Sequence, residues 1–114
     1  MNIVVLQGTL SSEVVERTLP SGVTVADWTV ATVVDGTKMT VPVQWTEPSR
    51  AVQQFDRGDE VVVSGAIRQR FYRAGGTLVS RTEVVGERVT KPTQKVASAK
   101  LLAQARDSLA GQLT

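Results

Sequence analysis

The chain has no cysteine and no histidine. Without cysteine there are no disulfides and no thiolate metal site. Without histidine the usual general base and the commonest neutral metal ligand are both gone. The carboxylates Glu13, Glu16, Asp56, Asp59 and Glu83 are scattered, without metal-ligand spacing. No catalytic constellation can be assembled from them, so the expectation is a protein that is not an enzyme and holds no cofactor. Aromatic residues are scarce: two Trp, two Phe and one Tyr, so the position of each carries weight. No apolar run is long enough to span a membrane. The short alternating segment at residues 3–10 follows no basic stretch, so it does not read as a signal peptide and the chain reads as intracellular.

What the chain does have is valine, which favours strands, and enough apolar residues (41%) for one modest core. The net charge of +2 is weak evidence for an anionic partner, but its distribution is uneven. Residues 1–90 hold nine Lys/Arg and ten Asp/Glu, a balance of −1. Residues 91–114 hold Lys91, Lys95, Lys100 and Arg106 against Asp107, a balance of +3. Anion affinity in the first part must therefore come from local clustering, with the second part adding a diffuse, salt-sensitive attraction.

One cluster stands out: Ile67-Arg68-Gln69-Arg70-Phe71-Tyr72-Arg73. Alternate side chains of a strand point to opposite faces. Val61, Val63 and Ile67 then share a core face, and Ser64, Arg68, Arg70 and Tyr72 share the other. Two guanidiniums followed by a phenol ring suit a single nucleic-acid strand. The cations attract phosphates, and the ring offers a surface on which a base can stack. The plainer reading is a solvated sheet face.

The expected elements follow from periodicity and turn signals. Residues 2–10 alternate as a first strand, interrupted at Ser11-Ser12-Glu13 and resumed at Val14-Val15. Leu19-Pro20-Ser21-Gly22 is a turn, and residues 23–34 form a long strand. Asp35-Gly36 is a two-residue hairpin signal, and residues 38–45 form the returning strand, in which Pro42 marks an edge, a bulge or a break. Residues 48–55 read as a short helix, with Thr46 or Glu47 near its N-cap. Residues 60–73 and 77–89 are the last two strands, joined at Ala74-Gly75-Gly76. Residues 1–90 thus form one domain, and 91–114 a basic Ala/Leu-rich tail, partly helical or disordered. In that tail Leu102, Ala105, Leu109 and Leu113 fall on one helical stripe.

Five short strands with a helix between the third and fourth is the order of the OB fold, an all-β Greek-key barrel that binds oligonucleotides around strands two and three. The motifs go further. Asn2-Ile3-Val4-Val5-Leu6-Gln7-Gly8-Thr9-Leu10, Leu19-Pro20-Ser21-Gly22 and Ala26-Asp27-Trp28-Thr29-Val30-Ala31-Thr32 occur in order. Arg57-Gly58-Asp59-Glu60-Val61-Val62-Val63-Ser64-Gly65, Arg68-Gln69-Arg70-Phe71-Tyr72 and Thr82-Glu83-Val84-Val85 follow them. Together they resemble the bacterial single-stranded DNA-binding protein (SSB) family over roughly residues 2–89.

The resemblance implies a homotetramer that wraps single-stranded DNA in replication, repair or recombination, cytoplasmic and nucleoid-associated, with no membrane partner. It places Arg68, Arg70 and Tyr72 on the DNA-contacting strand, with Tyr72 as a stacking aromatic and Arg73 beside them at the turn. Arg17, before the Pro-Ser-Gly turn, matches a basic position on the DNA path. Lys38 falls near a position where the family usually carries a Trp. Trp45 shares the parity of core residues, yet sits at a corner where the family can display a Trp, so both roles stay open for it. Trp28 and Phe55 read as core, and Phe71, with the parity of Ile67, is expected to pack.

Departures from the pattern matter too. The loop after Ala31-Thr32 shrinks to Val33-Val34-Asp35-Gly36 and lacks an aromatic, and the third strand offers no stacking residue on its binding face. Each stacked base contributes roughly 1–3 kcal/mol. Losing two would lower site affinity by about 1.5–4.5 orders of magnitude if nothing compensated. The family's acidic tip is missing, so recruitment of repair enzymes through it is not expected. The alternative is an OB-fold adaptor subunit resembling a primosomal replication protein, with weak or no DNA binding.

Overall fold

Alternating valines make ribbons that bury one side, and such ribbons must close against one another to hide it. The computed structural model describes residues 1–46 and 54–112. The described residues are mostly β, six strands in one sheet with one C-terminal helix. The strands are β1 (Val4–Leu10), β2 (Val15–Thr18), β3 (Thr24–Val34), β4 (Thr37–Thr46), β5 (Glu60–Ala74) and β6 (Thr77–Thr90), followed by α1 (Lys95–Gln112). The pairings run β1–β5–β6–β4–β3, and β3 pairs again with β1 through Thr9↔Ala31 and Leu10↔Val30. All are antiparallel except β4–β6, which is parallel from Val43↔Val84 to Trp45↔Gly86.

Six strands replace the expected five because the first strand is broken. At the break Ser11 and Ser12 bond to β3 partly through their hydroxyls. Ser12 Oγ accepts the Thr29 amide at 3.0 Å, and Ser11 Oγ lies 2.7 Å from Thr29 Oγ1. Side-chain bonds of this kind compete with the ladder and end a strand locally. β2 then resumes beside the first half of β3. The helix expected at residues 48–55 falls almost wholly on 47–53, outside the described residues. At the far side of that stretch Phe55 is buried in the core.

Turn chemistry fixes the β3–β4 hairpin. Asp35 and Gly36 both have positive φ, 50° and 74°, as a two-residue turn matched to strand twist requires. Pro42 lies where β4 has β3 on one side only, since β4 meets β6 just over residues 43–45. A residue without an N–H is tolerated there.

The core is Leu10, Ala26, Trp28, Val30, Val43, Trp45, Phe55, Val61, Val63 and Val84, with β3, β4 and β5 contributing alternate residues. Two glycines let the strands approach closely enough to close it. A Cβ on Gly8 would stand 2.2 Å from the Ala31 carbonyl oxygen, and one on Gly65 would stand 1.9 Å from that of Val85. At Gly65 the register also slips: Ser64 faces Arg88 and Gly65 faces Gly86, leaving Glu87 as the extra residue of a bulge. A bulge bends its strand, and next to this one β6 also pairs with β4.

α1 lies over β5 and β6. It buries Leu101 (3% exposed), which is worth about 1.5–3 kcal/mol. Thr90 and Leu101 line one gap at this contact, and Ser64 and Ala105 line another. The expected stripe is not the buried one: Leu102 and Leu109 are exposed. Leu113 lies outside the described residues. Leu101, one residue before the expected Leu102, is the leucine that meets the sheet.

Past Gly65, β5 outruns the body. Its last β1 partner is Val4, and beyond it only the Asn2 side chain continues the edge. Asn2 Nδ2 donates to the Ile67 carbonyl at 2.6 Å, and Asn2 Oδ1 accepts the Ile67 amide at 2.8 Å. From there β5 and β6 form a projecting hairpin. Three expectations fail at this point. Ile67 has the parity of Val61 and Val63 but is 49% exposed, and Phe71 is 62% exposed rather than packed. Ser64, expected on the solvent face with Arg68, is buried in turn. Parity is kept along β5; what changes is that neighbouring elements cover one stretch and not the other.

Candidate nucleic-acid interface

On the outer face of the sheet, polar side chains from five strands form one connected network. Cross-strand register sets it up, placing Asp27 opposite Gln44, Arg68 opposite Glu83, Arg70 opposite Arg81 and Tyr72 opposite Val79. Arg17 on β2 pairs with Asp27 on β3. Gln44 Nε2 on β4 donates to Asp27 Oδ1 at 3.3 Å. Arg68 Nη2 on β5 donates to Gln44 Oε1 at 2.8 Å and to Glu83 Oε1 at 2.8 Å, and Arg68 Nε donates to the same Glu83 oxygen at 3.3 Å.

Glu83 is the hub. It is 3% exposed, and three guanidiniums converge on it. Arg70 Nε is 3.4 Å from Oε1, and Arg81 Nε is 4.0 Å from Oε2. A carboxylate this buried is tolerable only when charge-paired and hydrogen-bonded. It also settles a conflict, since Arg70 and Arg81 face each other and like charges directly opposite repel. Four guanidiniums (Arg17, Arg68, Arg70, Arg81) against two carboxylates (Asp27, Glu83) leave the face at +2. The Asp27 hydrogen bond raises the Arg17 pKa further above its already high value, so the guanidinium stays charged.

The arginines are not equivalent. Arg68 has committed its Nε–H and Nη2 to Glu83 and Gln44, so only Nη1 remains for an incoming phosphate. Arg70 uses Nε alone, and its guanidinium stands over the Tyr72 ring, 5.8 Å from the centroid. That contact holds Tyr72, 42% exposed, with its ring at the surface. Arg73 is exposed and has no polar partner among the described residues; its parity puts it on the hairpin face of Phe71, not of Arg70.

Two of the sequence-derived candidates lie elsewhere. Trp45 is 7% exposed, its ring edge-on to Phe55 with centroids 6.5 Å apart. It is a core residue, offering no free face to a base, because β4 is covered by β6 and Phe55 at that point. Lys38 is exposed but opens on a different groove of about 450 Å³, lined by Thr9, Val33, Arg57 and others.

Sequence reasoning missed the part Arg81 and Gln44 play in the network and took Phe71 for a packed residue. Arg81 was accessible: a turn at Gly75-Gly76 pairs Ala74 with Thr77, and counting back sets Arg70 against Arg81. Gln44 and Phe71 were not, because their surroundings depend on which elements stop short.

A family model, the single-strand binding protein family, matches residues 1–92. The chain belongs to that family. No curated protein matches it in sequence. Among solved structures it is similar to the Plasmodium falciparum SSB in complex with single-stranded DNA, with TM-score 0.70 and 16% identity over 80% of this chain and 94% of that one. At that identity the likeness is one of fold.

Proposed function

We propose that this protein is a non-catalytic, sequence-tolerant binder of single-stranded DNA, acting in replication, repair or recombination. The observation that carries the reading is the arginine cluster ordered around buried Glu83, with Tyr72 exposed beside it on the same face. Family membership supports it. The circuit of pairings is read as the five-stranded OB barrel, with β2 as the displaced end of its first strand and residues 91–114 as an appended tail. Assembly is as a homotetramer in the cytoplasm, where several modest sites on one strand multiply in avidity.

Arginines engage phosphates, which every sequence has, and the phenol engages base faces, which every sequence also has. Titration of fluorescently labelled oligo-dT at several salt concentrations tests this. Affinity falls as salt rises if the arginines release counterions. Absence of binding at low salt contradicts the reading, and preference for duplex redirects it. The burial of Trp45 and the commitment of Arg68 thin the site, which favours the adaptor reading as the second choice. A stoichiometric protein partner co-purifying without detectable DNA binding would select it.

A further inference from the structure

Phe71 is the largest exposed apolar side chain of the projecting hairpin, and it does not stand alone. It walls an open groove of about 510 Å³ whose lining includes Leu19 from the β2–β3 turn, Gln44 and Arg68 from the network, and Arg17 and Arg70. We propose that this groove is a nucleotide subsite in which Phe71 stacks a base of the bound strand, in addition to Tyr72. The proposal rests on the single-stranded DNA reading above and deepens it.

The lining matches one nucleotide part by part. Phe71 and Leu19 supply apolar surface for the faces of a base. Arg17 and Arg70 supply charge for its phosphate, each keeping donors that its carboxylate partner does not take. The carboxylates Asp27 and Glu83 are already bonded to guanidiniums, so the groove presents net positive charge to an anion. Gln44 gives one amide N–H to Asp27 and one carbonyl lone pair to Arg68, leaving one donor and one acceptor. Phe71 and Tyr72, as successive strand residues, face opposite sides of the hairpin. The groove, lined by the four successive residues 68–71, takes in both parities along β5, so Phe71 and Arg70 both border it. A strand crossing the hairpin meets one ring on each side.

The test uses the whole chain. Phe71→Trp places an indole in the groove, while Trp28 and Trp45 stay buried at 4% and 7% exposure and contribute a steady background. Its emission should be quenched by oligo-dT and left unchanged by a base-free sugar-phosphate oligomer of equal length. Phe71→Ala should weaken oligo-dT binding about five-fold or more, leaving its salt slope and the base-free oligomer's affinity as in wild type. Phe71→Leu should lose as much, since it keeps apolarity without a ring. If Phe71→Ala or Phe71→Leu binds like wild type, or the new indole is not quenched, the subsite is wrong while DNA binding stands. If wild type itself does not bind oligo-dT, both fall. A change in light-scattering mass of Phe71→Ala without DNA would instead assign the residue to a subunit contact and overturn the proposal.

Discussion

Residues 61–65 and residues 67–73 belong to one strand of uninterrupted backbone, yet they live in different surroundings. In the first stretch both faces are covered: Val61 and Val63 meet the core, and Val62 and Ser64 lie on the side over which α1 packs. In the second stretch every residue but the half-buried Arg68 is exposed. The divide falls at Gly65, where β1 ends its pairing and β6 bulges. On the proposed function, stability and recognition fall to the two ends of a single ribbon, with the Glu83 network at their junction.

The sharpest test of this division is at the divide. Gly65→Ala drives a methyl group onto the Val85 carbonyl, and a loss of about 3 kcal/mol or more is expected by urea denaturation, or failure to fold. Next come matched truncations on the same parity. Val63→Ala should cost about 1.5–2.5 kcal/mol, and Ile67→Ala about 0.5 kcal/mol or less. Equal costs would erase the distinction between the two stretches. At the junction, Arg68→Ala deprives buried Glu83 of its nearest partner and should cost about 1–3 kcal/mol in the same assay. Arg70→Ala should change stability less than that while weakening oligonucleotide binding more.

The smallest effect lies outside β5. Asp59 accepts the Asp56 amide at 2.9 Å, and that bond, aided by Lys91, holds its carboxyl below the ordinary value of 3.8. A depressed carboxylate pKa stabilises the fold above the ordinary value, and the contribution is lost as pH falls through the depressed one. Asp59→Asn should therefore flatten the fall in Tm below about pH 4 and leave the slope at neutral pH unchanged.

Much of this architecture was legible in the residues. Alternation located the strands, Asp35-Gly36 and Gly75-Gly76 placed two hairpins, and the parity of Arg68, Arg70 and Tyr72 put them on one face. Gly8 and Gly65, which first appeared only as motif letters, proved to be the points where backbones nearly touch. Exposure was not legible where it depended on the reach of other elements. Ile67 and Phe71 have core parity without a core, Trp45 has a corner position without a free face, and Leu101 rather than Leu102 meets the sheet. The engagement of Arg68 was hidden for the same reason. It depends on Gln44 from β4, brought in by a parallel pairing that no local pattern announces.

The central claim is that the wet end of β5 grips single-stranded DNA through Arg70 and Tyr72 while its buried end holds the fold. Equilibrium binding of labelled oligo-dT to wild type and to Arg70→Ala/Tyr72→Ala measures it directly. The double variant should bind at least about ten-fold more weakly, a loss of about 1.4 kcal/mol or more, with an unchanged urea midpoint. Wild-type affinity in the double variant would contradict the claim.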